Sequence, residues 1–176
     1  MRRKLLLWVT VLFMPGGGFA ADPVQGTLCR PDEQVLFSCP LKTGNKIASL
    51  CGSAKLTPSA GYLQYRVGKP GKIELEFPSQ RQASQQQFRY VQYARYQVEH
   101  IAIRFDNNQY RYTIFDHYEG DSQPKVRQQG IEIIPPGNKP KVTTLLCRGA
   151  ASGNLQPLTT VVPCDKDDPL NMGECP

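Results

Sequence analysis

The sequence predicts an all-β domain in which an antiparallel meander is closed as a barrel or a sandwich, followed by a disulfide-stapled irregular tail. Two observations favour this fold class. No long stretch has the 3.6-residue apolar period of a helix, and short segments rich in β-branched and aromatic residues alternate with turn formers. The even number of cysteines, six, adds a set of expected disulfides.

The first twenty residues have the composition of a secretory signal. "MRRK" is basic, "LLLWVTVLF" is apolar and "GGGFA" ends in small residues. The apolar run is shorter than the roughly 20 residues that span a bilayer, and Pro15 would break a buried helix, which is the alternative interpretation. We therefore expect a signal peptide over 1–20, an antiparallel β domain over 21–148 and an irregular tail over 149–176. Such a protein would be periplasmic or secreted, without membrane insertion.

Nine segments have the composition of strands and are separated by Gly, Pro and Asn turn formers. The predicted strands are 33–41, 46–52, 62–67, 72–77, 88–97, 99–105, 110–118, 130–134 and 142–147. Consecutive strands joined by short turns favour an antiparallel order. Helix is expected to be limited to a turn or two, near 56–60 or 80–87.

All six cysteines lie after the predicted signal, and three disulfides are the favoured interpretation. A zinc site is the alternative, but it would want two cysteines only a few residues apart, and the closest spacing here is ten residues. Proximity along the chain, and the tendency of domain ends to lie close together, predict three pairs. These are Cys39–Cys51, Cys29–Cys147 and Cys164–Cys175. No cofactor and no metal site is predicted.

The net charge of +6 falls to +3 once Arg2, Arg3 and Lys4 leave with the signal. That charge is too weak to predict nucleic acid as a partner, which needs a concentrated basic stripe. The chain also has no Gly-rich phosphate loop and no Gly-x-Ser-x-Gly motif. The composition therefore favours a protein partner and no catalytic residues.

Both histidines fall in the stretch 98–121, "VEHIAIRFDNNQYRYTIFDHYEGD". Taking Asn107-Asn108 as a two-residue hairpin loop places Phe105 opposite Tyr110 and Arg104 opposite Arg111. Strand alternation then sorts the side chains into two faces. The face expected to meet the core carries Ile101, Ile103, Phe105, Tyr110, Tyr112 and Ile114. The other face carries His100, Ala102, Arg104, Arg111, Thr113, Phe115 and His117.

The second face has two interpretations. In the first, the hairpin simply exposes polar residues to water. In the second it is a contact surface, because the like-charged pair Arg104 and Arg111 would be destabilising unless acidic neighbours or an acidic partner compensate it. Tyr93 and Arg95 belong to a similar strip, "FRYVQYARYQ". Its tyrosines and arginines suit stacking on sugars or nucleobases, a protein hot spot, or core packing with the arginines beside it.

Acidic residues offer weaker alternatives. Glu74 and Glu76 share a strand face at a distance that some glycosidases use for paired carboxylates, although solvated alternation explains them equally simply. Calcium is conceivable at two acidic turns, but neither has the full ligand spacing of a calcium loop. These turns contain Asp116, Glu119 and Asp121, and Asp165, Asp167 and Asp168.

Phe37-Ser38-Cys39, the loop Ser59-Ala60-Gly61-Tyr62 and Cys147 together resemble the small exported lysozyme inhibitors of Gram-negative bacteria. The Phe-Trp-x-Lys-Gly element of that family has no counterpart after the signal. The resemblance implies a disulfide-bonded antiparallel barrel in which Ser59 and Tyr62 enter the cleft of a muramidase. Lys55 or Lys69 would then meet the catalytic carboxylates of that enzyme.

The expected function is that of an exported binding or inhibitory protein that acts through protein contacts, with a lysozyme-like muramidase as a candidate partner. Its predicted binding residues are Ser59, Tyr62, Lys69, Tyr93, Arg95, His100, Arg104, Arg111, Phe115 and His117. Two alternatives stay open. One is a carbohydrate-active enzyme that uses Glu74 and Glu76 or the Asp116–Glu119 turn, and the other is an envelope component that contacts peptidoglycan.

Overall fold

The computed structural model describes residues 26–171 and Cys175, so the predicted signal lies outside the described residues. The described part forms two antiparallel sheets, which confirms the all-β class and selects the sandwich. The four-stranded sheet contains β1 Glu33–Pro40, β2 Ile47–Ser53, β3 Leu63–Lys69 and β4 Lys72–Phe77. The five-stranded sheet contains β5 Arg89–Arg95, β6 Val98–Asn107, β7 Tyr110–Glu119, β8 Val126–Ile134 and β9 Thr143–Leu146. Short 3-10 helices span Ser84–Gln87, Gln156–Thr160 and Pro169–Asn171.

In each sheet every strand pairs with the next one along the chain, as expected for a meander. Isolated bridges then join the edges. Leu41 pairs with Cys147, which links the end of β1 to the end of β9, and Ser38 pairs with Ser152. Tyr90 pairs in parallel with Cys164, so the tail adds a short extension to the β5 edge. The tail therefore fits onto the edges of both sheets.

Aromatic side chains fill the space between the two sheets, because alternate residues of each strand point inward. Phe105 stacks on Phe77 with ring centroids 4.5 Å apart and on Tyr112 at 4.9 Å. Tyr65 and Phe88 contact the same ring from other sides. The tail contributes three buried apolar residues to this core, namely Leu155, Leu158 and Val162.

The disulfides differ from two of the three expected pairs. Cys29 is bonded to Cys51 and Cys39 to Cys147, whereas Cys164–Cys175 is confirmed. The prediction of Cys39–Cys51 and Cys29–Cys147 was wrong because it ignored strand register. Cys39 lies opposite Ala48 and faces the core, while Cys51 lies opposite Gln64 in a row that points away from it.

The turn of the β6–β7 hairpin lies one residue later than predicted, at Asn108-Gln109, where both residues have positive φ, so each β6 residue pairs two positions further along β7. Arg104 therefore lies opposite Thr113, and Arg111 lies opposite Asp106. Because the shift is an even number of residues, the two predicted faces are kept. The expected pair of opposed arginines, Arg104 with Arg111, was wrong.

On the outer face of the four-stranded sheet, Arg66 is almost completely buried, with 1 % of its side chain exposed. Its guanidinium donates to both carboxylate oxygens of Glu33, at 2.5 and 2.9 Å, and to Glu76 at 2.7 Å. The carbonyl of Leu28 and the side-chain oxygen of Gln64 accept the remaining two bonds. All five N–H donors of an arginine are therefore used.

Opposing effects act on the Glu33 carboxyl. Burial disfavours its charge, but hydrogen bonds from Arg66, the Arg30 amide and Tyr62 more than compensate, so the pKa of Glu33 lies below its ordinary value. The carboxylate is therefore ionised at neutral pH. Removing one partner of a buried arginine–carboxylate pair is strongly destabilising, because the other partner stays buried and charged.

We expect Arg66→Ala to lower the free energy of unfolding by about 3–5 kcal/mol, because it leaves the buried Glu33 carboxylate without its cation. Urea unfolding followed by circular dichroism measures this change. The matched control is Arg148→Ala at an exposed position, for which a change within about 0.5 kcal/mol is expected. Equal effects of the two substitutions would contradict the structural role of Arg66.

Peptide mapping of the non-reduced protein should recover the pairs Cys29–Cys51, Cys39–Cys147 and Cys164–Cys175. The bond between Cys39 and Cys147 spans a sequence separation of 108 residues, and that between Cys164 and Cys175 spans 11. Because the stabilisation grows with loop length, replacing the first pair by alanine should cost about 5 kcal/mol and the second about 3. A peptide linking Cys39 to Cys51 would overturn the assignment.

Candidate functional site

The predicted binding residues lie in three separate regions. Ser59 and Tyr62 belong to the loop between β2 and β3, and Lys69 is exposed at the β3–β4 turn. Tyr93, Arg95, His100, Phe115 and His117 share the outer face of the five-stranded sheet. Arg104 and Arg111 lie on that face as well, near its other end.

The loop 54–61, between β2 and β3, is exposed but internally braced. Within it, the Thr57 amide donates to the Ala60 carbonyl, and the Ala60 amide donates to the Thr57 hydroxyl, both at 2.9 Å. Gly61 has φ +84°, and a Cβ there would lie 2.5 Å from the Lys55 carbonyl oxygen, so only glycine fits this turn. The apex residue Ser59 is exposed.

Two glutamines of the first 3-10 helix support this loop from outside. Gln85 is buried, and its amide donates to the carbonyls of Thr57 and Pro58, each at 3.2 Å. The amide of Gln86 donates to the same Pro58 carbonyl. The loop backbone is therefore fixed while its apex side chains remain accessible.

Tyr62 closes the loop and is anchored to the buried Arg66 network. Its hydroxyl donates to Glu33 at 2.9 Å, and the guanidinium of Arg81 lies 4.8 Å from the centre of its ring. Burial and the bond to Glu33 both raise the pKa of Tyr62. Tyr62 therefore positions the loop, whereas Lys55 and Ser59 are exposed to solvent.

A row of rings crosses the outer face of the five-stranded sheet. His100 and His117 lie opposite each other on β6 and β7 and stack with ring centroids 4.5 Å apart. Phe115 packs against His117 at 4.9 Å, and Tyr93 lies 6.0 Å from His100. The Nε2 atom of His100 is 2.5 Å from a Glu119 carboxylate oxygen.

The two histidines have different surroundings. Burial, followed by the neighbouring His100, lowers the pKa of His117 below its ordinary value of 6.5. Nearby, Arg95 forms an exposed ion pair with Asp121 at 2.7 Å. Among the described residues, no group of three metal-ligating side chains contains a histidine.

Arg104 is engaged by the tail. Its guanidinium is held by Asp168 and lies 3.3 Å from Asp165. Arg111 pairs with Asp106 at 3.2 Å. The compensating acids that the sequence analysis required for these arginines are therefore present within the chain itself, so neither arginine needs an external acidic partner.

The carboxylates considered for catalysis are also occupied. Glu74 pairs with Lys46 at 2.5 Å, and Glu76 with the buried Arg66. Asp116 accepts two hydrogen bonds from Arg127. In the described part of the chain, one group has ligand atoms close enough together to hold a metal ion: Cys29, Glu33 and Cys51. Its two sulfurs are bonded to each other in a disulfide.

No family model, no curated protein and no solved structure matches this chain. Within the described residues, no helix has the length and apolar character needed to cross a membrane. Three disulfides are typical of proteins that fold in an oxidising compartment.

The residues that fix the loop were not among the predicted ones. Glu33, Gln85 and Gln86 come from distant parts of the chain, so no local pattern connects them to Ser59. One signal was available, since the three glutamines that precede a strand in "SQQQFRY" are a source of amide donors beside an exposed turn. The partner carbonyls depend on tertiary structure.

We expect NMR titration to give His117 a pKa below 6.5, the ordinary value. Because the unfolded chain then binds the proton more readily, the contribution of neutral His117 to stability is complete above that value and is lost as the pH falls below it. The midpoint of urea unfolding should fall over this range. His117→Gln should remove that part of the pH dependence, and an unchanged dependence would contradict the assignment.

Proposed function

We propose that this chain is an exported protein that binds and inhibits another protein, and that the loop 54–61 is the element it inserts. The observation that carries the proposal is the combination of exposed apex residues with a backbone fixed from both sides. Hydrogen bonds of the loop itself hold it from within, and the amides of Gln85 and Gln86 hold it from outside.

A fixed loop is an advantage in binding because association costs free energy wherever a flexible segment must be ordered. Inhibitors that enter enzyme clefts typically change little in backbone between the free and bound states. Ser59 is small enough to enter a narrow cleft. Lys55 and Ser59 are both exposed, so a cation and a hydroxyl are presented together.

The chemistry of Lys55 favours a partner with carboxylates in a cleft. A glycoside hydrolase has such a pair, since two carboxyl groups flank the bond that it cleaves. The resemblance to exported lysozyme inhibitors names the same class of partner. We therefore propose a lysozyme-like muramidase as the target and the periplasm as the compartment in which the inhibitor acts.

The experiment measures inhibition of a panel of muramidases by the purified mature protein. Lys55→Glu reverses the charge facing the proposed carboxylates, and Ser59→Arg enlarges the apex. Each should raise the inhibition constant at least tenfold, about 1.4 kcal/mol. The matched control is Lys125→Glu, the same charge change at an exposed site outside the loop, between β7 and β8.

Gln85→Ala provides a second, independent variant. It removes the two amide bonds to the loop but leaves Lys55 and Ser59 in place, so a smaller loss of affinity is expected from the added cost of ordering. If wild-type protein inhibits none of the panel and captures no muramidase, the proposed target is wrong. If Lys55→Glu, Ser59→Arg and Lys125→Glu behave alike, the loop is not the inhibitory element.

A further inference from the structure

A polar cleft of about 400 Å³ opens on the inner side of the five-stranded sheet, and its lining residues all lie outside loop 54–61. Ile101 is the first residue of β6 that belongs to the apolar core between the two sheets. Towards the start of β6, the same face of the sheet carries polar side chains. The cleft is lined among others by Glu99, Asp116, Tyr118, Arg127, Asn154 and Gln156.

The floor of the cleft is held by a chain of hydrogen bonds. Arg127 donates to both oxygens of Asp116, at 2.7 and 2.6 Å, and Gln129 donates to the second of them at 2.7 Å. The side-chain oxygen of Gln129 in turn accepts from the Ala151 amide at 2.8 Å. This chain connects three positions of the sheet to the tail segment that forms the opposite wall.

That wall is fixed by a glycine. Gly153 has φ +94°, and a Cβ there would lie 2.6 Å from the carbonyl carbon and oxygen of Leu36, so the tail passes directly against β1. Asn154 follows at once, and its side-chain oxygen accepts from the Gln156 amide at 2.9 Å. The backbone that forms this wall of the cleft is therefore already fixed in the unliganded protein.

Some polar groups around the cleft remain available. Asp116 accepts the hydrogen bonds described above. The exposed Glu99 accepts none from the residues that the structure describes. The Tyr118 hydroxyl and the Asn154 amide nitrogen also form no hydrogen bond with the described residues. Glu99 and Asp116 outweigh Arg127, so these three side chains carry one net negative charge.

We propose that this cleft binds a neutral saccharide. Hydroxyl groups of sugars both donate and accept, which matches the mixture of a free carboxylate, an amide and a guanidinium edge. The ring of Tyr118 supplies apolar surface for the C–H face of a sugar. The net negative charge of the cleft disfavours anionic ligands.

The cleft binds without hydrolysing. A glycosidase needs two carboxyl groups with separate roles, one of them able to supply a proton. Arg127 occupies both oxygens of Asp116, so this carboxylate is not free to act on a bound sugar. Glu99 is then the one carboxylate of the cleft left for a substrate, and the second catalytic group is missing among the described residues.

The test is NMR titration of the labelled mature protein with chitotriose, cellotriose and maltotriose, each to about 10 mM, a range that detects millimolar affinities. At least one trisaccharide should shift the resonances of Glu99, Tyr118 and Asn154. Glu99→Gln should weaken that binding about tenfold. Glu74→Gln, the same chemical change on β4, should leave it unaltered, as should Ser59→Arg in loop 54–61.

Ser59→Arg distinguishes this experiment from the inhibition experiment, because it should weaken muramidase inhibition and leave saccharide binding unaltered. Trilysine and trigalacturonate serve as cationic and anionic competitors. Binding of trilysine in preference to all three sugars would overturn the ligand class, and the absence of any saccharide shift would overturn the site. Release of reducing ends from a bound sugar would overturn the conclusion that the cleft does not hydrolyse.

Discussion

Arg66 lies in a row that points away from the core, yet its side chain is buried, and much of the molecule is arranged to satisfy it. Its five N–H groups meet acceptors on four parts of the fold: two bonds go to Glu33 on β1, and one each to Gln64 on β3, Glu76 on β4 and the carbonyl of Leu28. The segment 26–30 can cover this face only because it brings an acceptor with it. Losing a carboxylate partner, or placing an apolar neighbour against one side of a guanidinium enclosed in this way, would strongly destabilise the fold.

The same network extends to the proposed inhibitory loop. Glu33 also accepts from Tyr62, and Gln64 also accepts from Arg81, whose guanidinium lies over the Tyr62 ring. Tyr62, at the end of the loop, is thus held by residues that belong to the Arg66 network, while Gln85 and Gln86 hold the middle of the loop. An exposed loop is normally made rigid by packing, whereas this loop is made rigid by hydrogen bonds from the protein interior. Stability of the four-stranded sheet and geometry of the loop are therefore linked.

Strand alternation carried most of the sequence prediction. It identified the fold class, the meander order and the two faces of the β6–β7 hairpin, because the period of two survives an even register error. It could not decide which pair in "FDNNQY" would take the turn, and so Arg104 and Arg111 were placed opposite each other. The cysteine pairs failed for a related reason, since proximity in sequence ignores that Cys39 and Cys51 point to opposite sides of one sheet. The acids that neutralise Arg104 come from the tail, more than sixty residues away, and no local pattern announces them.

Each disulfide ties a different segment of the chain into the fold. Cys29–Cys51 fixes the segment that covers Arg66, and Cys39–Cys147 joins the two sheets beside the Leu41–Cys147 bridge. Cys164–Cys175 holds the part of the tail that pairs with Tyr90 and supplies Asp165 and Asp168 to Arg104. Cys29–Cys51 therefore restrains the segment whose Leu28 carbonyl reaches Arg66, and Cys164–Cys175 restrains the tail acids that reach Arg104. Because a cross-link mainly restricts the unfolded chain, it lowers the entropy cost of ordering these segments when the protein folds.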